Sequence, residues 1–373
     1  MKKIAFVLKL FQNDFFHGGG EKLFYNLIKR FVLSGYEVSI YCAKSDLNGE
    51  ISIEGRKVRV IPVNIEYDHL KPETMELFYE EVKKQLEDKG YDFIISENIT
   101  PPVDITFLQG HSLVNRLKRD KNPVETFFYK FRKVKTERMK FQKKWMEEGY
   151  RKIFTVSEVL KKDIMENFGV PEDKISVIHP GVDISEENPV STGRKPVTFG
   201  LSAPGFKIKG GYIFLKALCI LKTKRYNFRA KIIYPKHKSN LGVKLLIKLF
   251  SIEKEVEFLP YQKDMSQFYN SIDCLIAPSI EDTFNLAVLE AMAHKKPCII
   301  STNAGASEII TDGENGFIFE MKNSPEQTLA EKMALFINKY ANTKEIYEKA
   351  FETAKEYSWE KTFKEFEKEL NTL

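Results

Sequence analysis

Cysteine is scarce in this chain of 373 residues: Cys42, Cys219, Cys274 and Cys298 stand singly, mostly inside apolar strand-like runs. Without paired spacing they supply neither a zinc ligand set nor a disulfide framework, and they read as small core residues in a reducing cytoplasm. No apolar run exceeds strand length, so no transmembrane span is expected. The opening Met-Lys-Lys-Ile-Ala-Phe-Val-Leu imitates a signal peptide, but Lys9 interrupts it and no small-residue cleavage site follows before the glycines. A first β-strand is the better reading. Only six histidines are present, and no dense cluster of histidines and carboxylates is available to hold a metal. Short repeats and low-complexity segments are also missing, which argues against a solenoid or a disordered chain.

What is present points to a two-domain α/β protein. The length exceeds what one core usually organises, and an apolar content of 43% is ordinary for a globular fold. The net charge of +6 is unevenly placed, with twelve lysines and arginines against three acids between Asn115 and Trp145. Together with Phe127, Phe128, Phe131, Phe141 and Trp145, residues 115–145 have a composition suited to lying on an anionic membrane surface. The alternative is a solvated basic helix whose aromatics turn into the first domain's core. No nucleic-acid partner is expected.

Taken in order, residues 3–8 form a strand, and His17-Gly18-Gly19-Gly20-Glu21 leads into an amphipathic helix ending near Ser34-Gly35. A second strand follows from Tyr36 to Cys42, making half of a Rossmann-like domain. The glycines lack dinucleotide spacing and no acid closes the second strand, so a dehydrogenase is disfavoured. Gly18, Gly19 and Gly20 either form a plain tight turn or bring backbone N–H groups against a diphosphate. Apolar segments at 58–63, 91–96 and 103–109, with a helix over Glu73–Lys89, continue the sheet. His111 falls just beyond a strand's carboxyl end, where open α/β sheets place ligands. Ser157 caps a further helix after the strand at 153–156, and Ile175–Ile178 is a last strand before Pro180-Gly181. Residues 184–196 lose apolar periodicity and gather turn formers, which sets the domain boundary there. Strands near 197–201, 229–234, 255–259, 273–277, 297–301 and 316–319 then repeat the architecture, and helices over 325–340 and 343–370 end it. The expected domains are residues 1–190 and 191–355, with the terminal helix 356–373 packing back on the first.

The stretch from Pro278 to Ala293 carries the most specific chemistry. From Phe284 onward it is apolar on every face except at Asn285 and Glu290, the pattern of a helix buried on all sides. Asp282 and Thr283 stand where short polar residues cap a helix and leave its first N–H groups open to an anion, phosphate above all. An ionised Glu290 in such a helix must meet donors, either a lysine or arginine of the fold or a ligand.

These segments resemble, in order and over almost the whole chain, the signatures of family 4 glycosyltransferases of the GT-B fold. They are Gly18-Gly-Gly-Glu-Lys, Thr155-Val-Ser-Glu-Val-Leu-Lys-Lys-Asp, Val177-Ile-His-Pro-Gly-Val-Asp, Lys209-Gly, Asp282–Ala293, Gly305-Ala-Ser-Glu and Asp312-Gly-Glu-Asn-Gly-Phe. Members that build bacterial lipopolysaccharide core or other surface glycans are the most similar. The resemblance implies two Rossmann-like parallel-sheet domains facing a central cleft. It also implies retaining, metal-independent transfer of a hexosyl group from a nucleotide-diphosphate sugar to a hydroxyl of a glycan or glycolipid. On it, the enzyme works in the cytoplasm, on the inner face of the membrane.

By the same resemblance, Glu290 accepts from the ribose hydroxyls and Lys209 neutralises the diphosphate. Gly18, Gly19 and Gly20 approach the phosphates and donor sugar, and the backbone of Phe284, Asn285 and Leu286 supplies the helix N-terminus. His111 lies near the reacting sugar, and the base is read around Pro260-Tyr261-Gln262. Tyr357-Ser-Trp359-Glu resembles the family's closing motif, which makes Trp359 an anchor. Two positions depart from the pattern. Where members have a second glutamate seven residues before Glu290 this chain has Asp282, with Glu281 one residue out of register; the spacing to Glu290 makes Asp282, rather than Glu281, the expected contact with the donor sugar. Where many members have Gly-Arg, Gly200 is followed by Leu201, and Lys207 stands near enough in sequence to replace the lost charge. A nucleotide-sugar epimerase and a non-catalytic nucleotide-sugar-binding or membrane-scaffold protein are the competing readings. The donor sugar, its nucleotide and the acceptor stay open.

Overall fold

Strands that are hidden on both faces lose the alternation of apolar and polar residues, and this chain is built mainly from such strands. Ile4 to Leu8 are all buried, as are Cys274 to Ala277 and Cys298 to Ser301. A computed structural model describes residues 2–12, 18–63, 65, 71–97, 103–112, 133–147, 150–184, 196–236, 239–262 and 264–373. The chain divides into two units, Met1–Pro180 with Thr362–Leu373, and Gly181–Lys361.

In the first unit, β1 (Lys3–Phe11), β2 (Glu37–Ser45), β3 (Gly49–Ile53), β4 (Arg56–Pro62), β5 (Phe93–Ser96), β6 (Ile105–Leu108), β7 (Lys152–Thr155) and β8 (Ile175–Val177) form one sheet. The order is β3-β4-β2-β1-β5-β6-β7-β8, parallel except for β3 against β4. That antiparallel hairpin is absent from the sequence reading. Its turn puts Glu54 at φ 51 and Gly55 at φ 77, the two successive positive values of a tight hairpin turn. The helices of this unit are α1 (Gly19–Leu33), α2 (Pro72–Leu86), α3 (Lys133–Glu147) and α4 (Glu158–Phe168), and Ser157 Oγ accepts from Leu160 N at the head of α4.

The basic segment turns its described aromatics inward. Phe141 and Trp145, four apart on α3, are 9% and 5% exposed. Tyr79 of α2 receives both, with ring centroids 6.4 and 5.4 Å away. They therefore fill the core of the first unit and offer nothing to a membrane; Phe127, Phe128 and Phe131 lie outside the described residues. A separate cluster of the first unit takes in the chain's last residues. Phe366, fully buried, meets Phe154 at 4.8 Å, Phe31 at 5.7 Å and Phe107 at 5.7 Å. Lys2 Nζ donates to Asn371 Oδ1 at 2.8 Å, and Tyr36 Oη to Glu367 at 2.8 Å.

The second unit has a fully parallel sheet of β9 (Val197–Ser202), β10 (Phe228–Ile233), β11 (Val256–Leu259), β12 (Cys274–Ala277), β13 (Cys298–Ser301) and β14 (Gly316–Phe319), in the order β11-β10-β9-β12-β13-β14. Its helices are α5 (Gly211–Thr223), α6 (Leu241–Leu249), α7 (Ser266–Asn270), α8 (Leu286–Ala293), α9 (Pro325–Leu335) and α10 (Lys344–Glu356), followed by α11 (Trp359–Leu370). The long terminal helix expected from sequence breaks between α10 and α11. There Val182 N bonds Tyr357 O at 2.9 Å, and a Cβ on Gly181 would stand 2.5 Å from the backbone of Trp359. Only glycine fits, and Trp359 is 1% exposed.

We expect Phe366→Ala to destabilise the protein by about 3–5 kcal/mol, since the ring is enclosed by three others. Denaturant unfolding checks this, and a loss below about 1 kcal/mol would show that the terminal helix does not hold the first unit's core.

Candidate functional site

Among the parallel strands of each sheet the order reverses direction once, and at that point the loops leaving two neighbouring strands diverge. Ligands of open α/β sheets bind in the crevice this opens at the carboxyl ends. In the second unit the reversal falls between β9 and β12. A pocket there is lined by Ser202, Lys209, Ala277, Ser279, Asn285 and Ala287, among others.

Lys209 comes from the loop after β9, which ends on Gly210 at φ +73. A Cβ at Gly210 would stand 1.8 Å from Pro278 O, so glycine alone lets this loop touch the one after β12. The contact is extended by Ile280 N bonding Ile208 O at 2.8 Å. Lys209 Nζ thereby reaches Asp282 Oδ2 at 2.6 Å, a carboxylate that also accepts from Ser279 Oγ at 3.2 Å.

Here the sequence expectation needs correcting. Asp282 and Thr283 do not cap the helix: α8 begins at Leu286, and its N-cap is Asn285 at φ 80, without a side-chain capping bond. Asp282 is held instead by the loop at 303–305, through Asp282 N to Asn303 O and Gly305 N to Asp282 O. Asn285 turns its amide to Ser279 Oγ at 3.2 Å. The N–H groups of Leu286 and Ala287, which open the helix, have no acceptor among the described residues. Nor is α8 buried on all sides. Val288, Leu289, Ala291, Met292 and Ala293 are buried, whereas Leu286, Ala287 and Glu290 are partly exposed along one face. Phe284 is packed inside at 3% exposure. Glu290 is met by a tyrosine of the fold. Buried Tyr269 Oη donates to its Oε2 at 2.7 Å, and burial beside this carboxylate pushes the phenol well above its ordinary range. Lys207 is exposed and does not line the pocket, and Leu201 is buried in the sheet.

In the first unit the reversal falls between β1 and β5. Gly18 is the N-cap of α1, in extended conformation, and Gly19 and Gly20 are its first residues. A Cβ on Gly18 would meet nothing within 4 Å, and one on Gly20 would meet only the end of the Gln109 side chain. Among the described residues nothing thus demands glycine at these two positions, as a tight turn would. His111 follows β6 and is buried at 6% exposure. Its Nδ1 lies 3.0 Å from Asp163 Oδ2. An ionised carboxylate only accepts, so Nδ1 is the donor in this pair. Asp163 of α4 also accepts from Ser112 N at 2.9 Å, Ser112 Oγ at 2.7 Å and Asn167 Nδ2 at 2.6 Å. His111 is therefore fixed in one orientation.

Glu97 was missed in the sequence, although it is the first charged residue after β5 at the strand's carboxyl end. With Glu21, Gln12 and Tyr25 it lines a pocket at the reversal point. Burial pushes its carboxyl from 4.5 up to about 7, aided by nearby Glu21 and opposed by the Lys9 N–H that it accepts from. Among the described residues no three His, Cys, Asp or Glu side chains gather as a metal site.

Comparison with known proteins gives a consistent picture. Residues 17–186 match the model of Glycosyltransferase Family 4, and residues 193–355 that of Glycosyl transferases group 1. An uncharacterised glycosyltransferase of Haemophilus influenzae is 25% identical over 98% of this chain and 99% of its own. One from Methanocaldococcus jannaschii is 27% identical over 57% of this chain, and the match spans 58% of that relative's length. Among solved structures, WaaG, a glycosyltransferase involved in lipopolysaccharide biosynthesis, superposes with a TM-score of 0.77 at 17% identity, covering 97% of this chain and 98% of that one. Anabaena HepE in complex with UDP-glucose gives 0.71 at 16% identity, covering 100% of both.

A raised carboxyl holds its proton in the folded state at pH values where the unfolded chain has lost it. Stability from Glu97 is then fully present below about pH 4.5 and falls as the pH rises to about 7. We expect Glu97→Gln to flatten this slope and to be the more stable protein at pH 8, by roughly 2 kcal/mol. Unfolding curves of both proteins between pH 5 and 8 decide it; parallel pH profiles would refute the buried acid.

Proposed function

Since the chain belongs to the glycosyltransferases, with a family 4 domain followed by a group 1 domain, we propose that it moves a sugar from a nucleotide-diphosphate donor to a hydroxyl of a glycan or glycolipid. Anomeric configuration is retained and no metal is required. The donor is held by the domain at residues 191–355 and the acceptor by that at 1–190. The observation that carries this reading is the meeting of Lys209 with the open N-terminus of α8 at the reversal point of the second sheet. Departure of the nucleotide puts negative charge on the β-phosphate. A lysine and a preoriented helix N-terminus stabilise that charge where it develops, the role a metal ion plays elsewhere.

In this reading Glu290 takes the ribose hydroxyls, oriented by Tyr269, while Lys209 exchanges Asp282 for the diphosphate. Asp282, released, or its neighbour Glu281 then faces the donor sugar, and Lys207 adds charge at the rim. Gly18, Gly19 and Gly20 leave room for the phosphates and sugar, since among the described residues no side chain fills the space beside Gly18. His111, braced by Asp163, serves the reacting sugar from the first unit. The UDP-glucose bound by HepE supports a nucleoside diphosphate sugar as donor, and the role of WaaG supports surface-glycan synthesis. Peripheral attachment to an anionic membrane through 115–145 rests on the basic residues there, since Phe141 and Trp145 face the core. No helix among the described residues is long and apolar enough to cross a membrane.

A screen of UDP-, GDP- and ADP-sugars tests the proposal. The cognate donor at a hundredfold excess over its Kd should stabilise the fold by about 2.7 kcal/mol and be slowly hydrolysed. Glu290→Gln and Lys209→Ala should each lose about 2–4 kcal/mol of transition-state stabilisation in kcat/KM. Near-normal turnover in either variant would place the donor elsewhere.

A further inference from the structure

From Asn188 to Ile252 the chain carries fourteen lysines and arginines and not one aspartate or glutamate. Helix α6 lies near the end of this stretch. Its inner side is well fixed, with Val243 and Ile247 buried and the Asn240 side chain accepting from Val243 N at 3.1 Å. Its outer side carries Leu241, Leu245 and Leu249, which are 77%, 68% and 71% exposed. Spaced by four, these leucines form one stripe along the helix. Lys244 and Lys248 share the exposed side, and neither has an acidic partner among the described residues. Lys236, just before the helix, is exposed as well.

Single exposed leucines need no explanation, but three in a row on a capped helix leave apolar area in water that something is expected to cover. The charge around the stripe selects what covers it. A second copy of this chain, meeting the face across a two-fold axis, would set Lys244 and Lys248 against the same lysines. An anionic bilayer fits both features: lysines meet the headgroups while leucines enter the boundary of the acyl chains. We propose that α6 is a membrane-contact helix which docks the second unit on an anionic lipid surface. The site is in a different unit from residues 115–145, and it depends neither on that segment nor on the transferase reading.

The test uses the full chain carrying Leu245→Trp, with vesicles of phosphatidylglycerol or of phosphatidylcholine whose acyl chains are brominated. The native Trp145 and Trp359 are 5% and 1% exposed, so the new residue is the one able to respond. Its emission should shift to the blue and be quenched by the phosphatidylglycerol vesicles alone. Replacing Leu241, Leu245 and Leu249 together by serine should lower co-sedimentation with these vesicles by at least about tenfold, since apolar burial then contributes nothing. Thermal stability should not fall, because all three side chains are already in solvent. A tryptophan that stays unquenched while the protein binds, or a triple variant that sediments like the wild type, overturns the proposal and leaves any membrane contact to other segments. A lipid-free dimer that the triple variant abolishes would also overturn it, by giving the face to a second copy.

Discussion

The second unit's site depends on one steric constraint, the absence of a side chain at Gly210. Its left-handed backbone lets the loop after β9 lie on the carbonyl of Pro278, where any Cβ would collide. Two loops that the sheet topology sends apart are thereby brought into contact. The ion pair of that site follows from this: Ile208 pairs with Ile280, and Lys209 is aimed at Asp282. A sheet can supply the crevice for any ligand, and it is the loop contact that makes this crevice cationic.

The two units treat their carboxylates in opposite ways. Asp282 is half-buried, with the Lys209 ammonium group 2.6 Å away. Burial raises the carboxyl of Glu97, against the pull of the Lys9 N–H that it accepts from and of the Lys9 charge, and Glu21 nearby adds to the rise. The first unit thus presents an acid near neutrality at its reversal point, and the second a fixed ion pair. His111 belongs to neither class, for it is tied through Nδ1 to an aspartate that three further donors already hold.

Most strands were legible because buried parallel strands leave unbroken apolar runs, as in Cys274–Ala277 and Cys298–Ser301. The β3 strand was not, since its exposed residues give it no apolar run and only the Glu54-Gly55 turn betrays it. Asp282 misled because an acid before an apolar run looks like a cap. The left-handed Asn285 that starts the helix is a consequence of tertiary packing against the loop at 303–306, which local propensity does not reveal. Apolar residues at Leu286 and Ala287 also concealed that one face of α8 is open. Phe141 and Trp145 look amphipathic from composition, and only their four-residue spacing on α3 hints that they share a side. The long acid-free stretch went unread for a simple reason: its lysines are diluted by buried strands and helices, so no short window of it is conspicuously basic.

The last helix gives the chain an unusual order of completion. Phe363, Phe366 and Leu370 are core residues of the first unit, yet a ribosome delivers them only after every residue of the second. During synthesis the first unit emerges early and waits, with Phe31, Phe107 and Phe154 uncovered, while the later unit is made and can fold. The part made first is finished last. Exposed aromatic surface of this kind is what chaperones bind, so the interval between the release of β8 and the arrival of Phe366 is when this protein is most open to aggregation.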